Sequence, residues 1–138
     1  MTGNGSNQKR VDLLIRDTIE VIQARREGLE MAKEMGFSLP EATKIAVVIS
    51  ELARNILNYA GHGTITLSVY TGEEQRFEIT ARDRGPGIAD VARVLAGGYS
   101  TSGGLGKGLS GSKRLMDTFH VDSRVGFGTT IKASKRLR

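Results

Sequence analysis

The chain has 138 residues, of which 38% are hydrophobic and 25% charged, and its formal net charge is +5. This balance suits one globular domain and is not typical of a disordered chain. No apolar run approaches the length of about 18 residues that a membrane-spanning helix needs. The sequence has no cysteine, which excludes disulfides and thiolate metal sites. The polar N-terminus lacks a signal-peptide core. We therefore expect a cytoplasmic protein with a flexible tail at residues 1–9 and one domain at residues 10–138.

The positive charge admits two interpretations, nucleic-acid binding or a solvated surface suited to acidic partners and phosphates. Basic residues are scattered along the chain, apart from a C-terminal group of four. Aromatic residues make up only 5% of the chain, too few for a platform that stacks bases. The solvated surface is therefore the favoured interpretation, and we expect neither a nucleic acid nor a membrane as a partner.

The first third of the chain predicts a short strand followed by two helices. Residues 11–15 form the strand candidate, and Asp17 or Thr18 can cap a helix that ends near Met35, before Gly36. Residues 38–41, Ser-Leu-Pro-Glu, then resemble a capping box. The second helix should continue to about residue 60 and end at the next glycine.

The remainder predicts two hairpins separated by helical and glycine-rich segments. Residues 64–70 and 76–82 alternate apolar and polar side chains, as two paired strands do. A short helix over 90–95, a mobile loop over 97–106 and a helix over 109–119 should follow. Strands at residues 120–123 and 129–134 close the chain. The order predicts an α+β fold, a two-layer sandwich with helices on one face of a mostly antiparallel, mixed sheet.

Glycine is concentrated in one part of the sequence. Nine of the 18 glycines fall within the 27 residues 85–111. Because glycine loses more backbone entropy on folding than other residues, packing alone does not explain such a cluster. The cluster indicates a ligand site lined by backbone.

The second predicted helix carries polar residues away from its apolar stripe. Glu51 and Asn55 lie one turn apart on this second face. The pair could be part of a solvent-exposed face, since such spacing is common. Opposite a phosphate-bearing ligand, however, Asn55 could give one oxygen to Mg²⁺, and Glu51 could orient or deprotonate an attacking hydroxyl.

Two further segments suggest a nucleotide. Residues 83–88, Asp-Arg-Gly-Pro-Gly-Ile, could be a simple turn, or Asp83 could accept a hydrogen bond from an amino-bearing base while Gly85 and Gly87 allow close backbone approach. Residues 100–109 could be a floppy surface loop, or they could close over a triphosphate, because they lead into a helix whose free N–H groups favour phosphate. A P-loop is excluded because positions 101 and 108 are threonine and glycine. The Gly-x-Gly-x-x-Gly match at residues 106–111 does not follow a strand and is considered accidental.

Taken together, four segments resemble the GHKL ATPase family of gyrase, Hsp90, histidine kinases and MutL. Residues 51–55 resemble its N box, residues 83–87 and 104–108 its two glycine boxes, and residues 128–130 its closing segment. From about residue 11 onward, the chain also resembles one group within this family, the serine/threonine switch kinases of bacterial stress signalling. It implies the Bergerat ATP-binding fold.

The resemblance also implies roles for individual residues. Glu51 would be the catalytic base and Asn55 the Mg²⁺ ligand, while Asp83 would read the adenine amino group. The remaining ATP-binding residues implied by the resemblance are Gly85, Gly87, Gly103, Gly104, Leu105, Gly106, Lys107, Gly108 and Thr130. Lys107 departs from the small or apolar residue common in the family, so its role stays open, as does that of Arg54.

Substrate and partners follow from the resemblance alone. The implied activity is ATP- and Mg²⁺-dependent phosphorylation of a STAS-domain antagonist or scaffold protein in a stressosome. Release of the kinase would then allow it to bind and activate a PPM-type phosphatase. The alternatives are an anti-sigma-factor kinase of the RsbW and SpoIIAB kind and a nucleotide-dependent binding module without transfer activity.

Overall fold

The computed structural model describes residues 7–96 and 105–138, with side chains described from residue 9 and, in the second range, from residue 108. Within these residues the chain forms five strands and four helices. The strands are β1 (Asn7–Ile15), β2 (Gly63–Tyr70), β3 (Arg76–Asp83), β4 (Thr118–Arg124) and β5 (Gly128–Arg136). The helices are α1 (Thr18–Met35), α2 (Leu39–Ala60), α3 (Val91–Leu95) and α4 (Leu105–Leu115).

The strands form one sheet in the order β1-β2-β3-β5-β4. All four described pairings are antiparallel, so no parallel pair of the expected mixed sheet is found within these strands. The long helices α1 and α2 pack on each other and on the sheet, and α4 packs on α2. The predicted α+β class with two layers is therefore confirmed.

The core lies between the sheet and the two long helices. The apolar residues of β2 and β3 that the period-two pattern predicts to face inward are buried, and the polar residues between them on the central part of both strands (Thr66, Ser68 and Thr80) are buried as well. On α2 the predicted apolar stripe faces the sheet. The fully or nearly fully buried members of this core include Ile45, Ile49, Leu52, Ala53, Ile56, Ile65, Leu67, Phe77 and Ile79.

The ends of the two long helices match the cap residues identified in the sequence. The Asp17 side chain accepts a hydrogen bond from the Glu20 N–H at 2.9 Å, and Gly36 ends α1 in the left-handed conformation. The Ser38 hydroxyl accepts from the Glu41 N–H at 3.3 Å, at the start of α2. Local capping chemistry therefore sets both starts, as predicted.

The fourth helix differs from its prediction at both ends. It begins at Leu105, so the expectation of an irregular chain was wrong for residues 105 and 106; residues 97–104 lie outside the described part. Glycine costs about 1 kcal/mol in a helix interior, but the burial of Leu109 and the packing of α4 on α2 offset that cost.

The helix ends at Leu115 rather than at residue 119. Asp117 N–H donates to the Ser134 carbonyl at 2.8 Å, which draws the chain into the sheet. Phe119 therefore belongs to β4. At the other end of the chain, β1 begins at Asn7, so residues 7–9 of the expected tail are part of a strand. Residues 1–6 of that tail lie outside the described residues.

No helix among the described residues combines the length and the hydropathy that crossing a bilayer requires.

Candidate functional site

One cavity brings together residues from α2, the loop after β3, α4 and β5. Its lining residues are Asn55, Tyr59, Asp83, Pro86, Gly87, Ile88, Leu109, Thr129 and Ile131. The space open to water inside it is about 70 Å³. Small-molecule sites usually measure roughly 300 to 1,000 Å³. The described residues therefore enclose a space large enough for a portion of a small-molecule ligand and not for all of it.

The loop after β3 is shaped by its own polar groups. Asp83 Oδ1 accepts the Gly85 N–H at 2.9 Å, closing a tight turn at the end of the strand. A methyl group on Gly85 would lie 2.7 Å from the Ala60 side chain, at the end of α2. Glycine at this position therefore lets the loop lie directly on the helix. Asp83 uses Oδ1 in this turn, so among residues 7–96 and 105–138 its Oδ2 atom is the one that could accept a donor from a ligand.

The β4–β5 hairpin holds the same loop from the other side. Gly126 N–H donates to the Pro86 carbonyl at 2.8 Å, and Ile88 N–H donates to Ser123 Oγ at 2.7 Å. Gly87 has φ +81°, and a side chain there would collide with the Arg124 carbonyl. The glycine is therefore required both by its conformation and by the close approach of the hairpin.

Asn55 presents an unsatisfied polar group beside this cavity. Its Nδ2 atom is buried and has no hydrogen-bond partner among residues 7–96 and 105–138. An unpaired buried polar group costs about 1–3 kcal/mol, so proteins rarely keep one without a purpose. A side-chain amide with unused bonding capacity suits a site that receives a polar ligand. The simple alternative of a solvated helix face does not describe Asn55.

Glu51 lies one turn before Asn55 and faces α4 rather than the cavity lining. Its Oε1 atom pairs with Arg54 Nη1 at 2.6 Å. Its Oε2 atom lies against Gly108, at 2.9 Å from the position that a Cβ atom would occupy there. The Asn55 Oδ1 atom is 4.0 Å from the same position. Oxygens of both side chains thus converge on Gly108, in the first turn of α4.

The closing segment places a different threonine at the cavity from the one expected. Thr129 is buried and lines the cavity, whereas Thr130 is not among the lining residues. Successive side chains of a strand point to opposite faces of the sheet, and Thr130 pairs with Arg82 and Asp122 across the strands. The expectation that Thr130 lines this cavity does not agree with the geometry. The residue of β5 that faces the cavity is Thr129, one position before Thr130.

The segment expected to wrap phosphates is described only in part. Gly103 and Gly104 lie outside the described residues. Leu105, Gly106 and Lys107 form the beginning of α4, but their side chains lie outside the described part. Gly108 is the residue that approaches Glu51. The whole Gly-x-Gly-x-x-Gly match lies inside this helix, as an accidental match would.

Six lining residues were not identified as site residues from the sequence, namely Tyr59, Pro86, Ile88, Leu109, Thr129 and Ile131. Tyr59 follows Asn55 by four residues, so helical spacing places both on one face. Thr129 and Ile131 share the inward face of β5. These spacings could have identified them once Asn55 and the closing strand were chosen. No group of three or more histidine, cysteine, aspartate or glutamate residues that could hold a metal is found in the described part of the chain.

Comparisons with known proteins agree on one family. Residues 41–138 match the family described as histidine kinase-, DNA gyrase B-, and HSP90-like ATPase. The serine/threonine-protein kinase RsbT of Bacillus subtilis strain 168 is 48% identical over 120 residues, which cover 86% of this chain and 90% of RsbT. The anti-sigma F factor of Halalkalibacterium halodurans is 32% identical over 106 residues, covering 72% and 73% of the two chains.

A solved structure extends the comparison to the fold. The mycobacterial sensor histidine kinase MprB superposes with a TM-score of 0.57 at 18% sequence identity, covering 94% of this chain and 97% of that one. At this identity the likeness shows the fold alone. The chain therefore shares its sandwich of helices and antiparallel sheet with this histidine kinase structure.

Proposed function

Since the chain belongs to the histidine kinase-, DNA gyrase B- and HSP90-like ATPase family, as a serine/threonine-protein kinase of the RsbT type, we propose that it phosphorylates STAS-domain proteins. The phosphoryl donor is Mg²⁺-ATP and the acceptors are antagonist or scaffold proteins of a stressosome, similar to RsbS and RsbR. The observation that carries the proposal is the unpaired amide of Asn55 beside a cavity that also holds Asp83.

The cavity suits the adenine base. Asp83 offers a carboxylate oxygen to an amino group, while Ile88, Leu109 and Ile131 supply apolar walls. Thr129 adds a hydroxyl, already paired with Ser123 Oγ at 2.8 Å. A flat base held between apolar walls, with a few fixed polar groups at its edge, is a usual design for a ligand pocket.

The beginning of α4 and the polar face of α2 suit the phosphates and the metal. The backbone N–H groups at the N-terminus of a helix favour anions, and residues 103–108 are the segment proposed to wrap the phosphates. Asn55 would hold Mg²⁺ through Oδ1, a neutral oxygen of the kind this ion accepts beside water and phosphate oxygens. When bound, the metal would neutralise part of the negative charge on the phosphates.

Glu51 is proposed as the general base. Its Oε2 atom lies beside Gly108 and near Asn55 Oδ1, on the side of the proposed phosphate segment. From there it would accept the proton of the acceptor serine or threonine hydroxyl as the hydroxyl oxygen bonds to the γ-phosphorus. The bond between that phosphorus and the bridging oxygen breaks, and ADP leaves. A positioned base of this kind contributes roughly 10²- to 10⁴-fold to a rate.

The partner-switching part of the proposal rests on the similarity to RsbT. Phosphorylation adds about two negative charges at the interface with the substrate, which can separate the two proteins by repulsion. The released kinase would then bind and activate a PPM-type phosphatase similar to RsbU. The similarity to anti-sigma F factor supports a second candidate, a kinase that captures a sigma factor directly. A nucleotide-dependent binding module is a third, which the presence of both Glu51 and Asn55 disfavours.

Transfer of labelled phosphate from Mg²⁺-ATP to a purified STAS protein of the same genome tests the proposal. We expect labelling of serine or threonine, lost in Glu51→Gln and kept in Glu30→Gln, which removes the same charge from an exposed position on α1. Tight ATP binding without transfer would contradict the kinase assignment. Sigma-factor capture in that case would favour the second candidate.

A further inference from the structure

The proposed base is held by a neighbour on its own helix. Arg54 Nη1 contacts Glu51 Oε1 at 2.6 Å, across one turn of α2. The side chains of Arg54 and Glu51 are 52% and 34% exposed, so solvent reaches the pair. Exposed pairs of this kind contribute only about 0–1 kcal/mol to stability. The contact is therefore better explained by what it does to the orientation of Glu51 than by what it adds to the fold.

The two oxygens of Glu51 have different surroundings. Oε1 is occupied by the guanidinium, whereas Oε2 lies on Gly108, close to the position approached by Asn55 Oδ1. Rotation of the carboxylate away from this arrangement would break the contact with Arg54. Arg54 thus binds Oε1 of Glu51, and Oε2 is directed toward the first turn of α4.

We propose that Arg54 is a positioning residue for Glu51, fixing which carboxylate oxygen faces the acceptor hydroxyl. The inference rests on the proposed function, since it assigns Arg54 a role through the proposed base. A misplacement of about 1 Å can lower a rate by roughly a hundredfold. Loss of the contact therefore lowers the rate of the transfer step while leaving the adenine cavity unchanged.

The same helix supplies a matched control. Lys44 Nζ pairs with Glu41 Oε2 at 2.9 Å with the same three-residue spacing, and these side chains are 45% and 38% exposed. This pair resembles the Arg54–Glu51 pair in spacing and exposure but lies more than two turns away along α2. Lys44→Ala therefore removes an ion pair of the same spacing without touching Glu51, while Glu41 keeps its second partner, Lys135, at 3.1 Å.

The experiment compares Arg54→Ala, Arg54→Lys and Lys44→Ala in transfer from Mg²⁺-ATP to the STAS acceptor, with kcat, both KM values and melting temperature measured. For Arg54→Ala we expect kcat about tenfold lower, a part of the roughly 10²- to 10⁴-fold contribution of a positioned base. Both KM values should stay within about twofold, a difference of roughly 0.4 kcal/mol. Arg54→Lys should recover part of the loss because it restores a cation beside Oε1. Lys44→Ala should keep the kcat of the parent protein.

Several outcomes would overturn the inference. An unchanged kcat in Arg54→Ala, with Glu51→Gln inactive, would show that Arg54 does not position Glu51. The proposed function would then still stand. A raised KM for the acceptor with unchanged kcat would instead place Arg54 in direct contact with the substrate protein. Absence of transfer by the parent protein, or full activity of Glu51→Gln, would overturn the proposed base and this inference together.

Discussion

Gly108 lies so close to Glu51 that a Cβ atom added to the glycine would be 2.9 Å from Oε2 of the carboxylate. The two residues belong to different helices, α4 and α2, so their contact joins the proposed base to the proposed phosphate segment. Glycine at this position leaves room for the carboxylate, and any larger residue must displace it.

Gly108→Ala and Gly111→Ala should therefore have different effects, although both lie in α4. In the described part of the chain, no atom other than the adjoining backbone of α4 itself and the two neighbouring residues lies within 4 Å of a Cβ at Gly111. Both changes remove the helix cost of glycine, roughly 1 kcal/mol each. Gly111→Ala should raise the melting temperature and keep transfer activity. Gly108→Ala should lower the transfer rate about tenfold, as a displaced general base does. Equal activity of the two variants would contradict the contact.

Thr129 and Thr130 provide a test of the register of β5. Thr129 lines the cavity and Thr130 does not. Thr129→Val should weaken ATP binding by about two- to tenfold, the range of one hydrogen bond of roughly 0.5–1.5 kcal/mol. Thr130→Val should leave the affinity unchanged. Calorimetric titration with ATP measures both, and a larger effect at Thr130 would show that the geometry around the base differs from that proposed.

Asn55→Ala should abolish Mg²⁺-dependent turnover without unfolding the protein. Its buried Nδ2 has no partner among residues 7–96 and 105–138, so truncation breaks no hydrogen bond of that atom. Asn58→Ala is the control, because Asn58 is exposed on the same helix less than one turn away. Circular dichroism and ATP hydrolysis check the two variants together. Turnover retained by a folded Asn55→Ala protein would remove Asn55 from the metal site.

The contacts of Glu41 on α2 with Lys44 and with Lys135 on β5 should make the free energy of unfolding depend on pH. Hydrogen bonds from Lys44, and then from the buried Lys135, lower the pKa of Glu41 below its ordinary value of 4.5. A carboxyl group with a lowered pKa in the folded state contributes stability above its ordinary pKa, and this contribution is lost as pH falls through the folded value.

Urea unfolding of the parent protein and of Glu41→Gln measures this contribution. The parent should be more stable at neutral pH, and the difference should shrink as pH falls below 4.5, the ordinary pKa. Glu34→Gln is the control, because Glu34 is 69% exposed and its contact with Lys9 is 3.6 Å long. A difference that is constant from neutral to acid pH would show that the charge of Glu41 is not its cause.

Elements defined by local chemistry were predictable from the sequence. Asp17 and Ser38 cap their helices as side chains of these types do, and the alternating residues of β2 and β3 define the hairpin. The family suggested by the four segments was confirmed by the comparisons.

Features that depend on tertiary contacts were not predictable. The start of α4 at Leu105 follows from packing against α2, which overrides the low helix propensity of glycine. The choice between Thr129 and Thr130 follows from the strand register, where a shift of one residue reverses the face. The contact between Gly108 and Glu51 joins distant parts of the chain, and helical spacing alone does not indicate it.

The sheet order has a consequence for how the protein is made. β5 is the last strand in the sequence, yet it lies between β3 and β4 and supplies Thr129 and Ile131 to the cavity. While the ribosome has delivered only the residues before β5, β3 lacks its second neighbour and β4 has no partner. Domains fold as units during synthesis, at roughly 5–20 residues per second. The cavity therefore cannot form on the nascent chain until β5 has emerged.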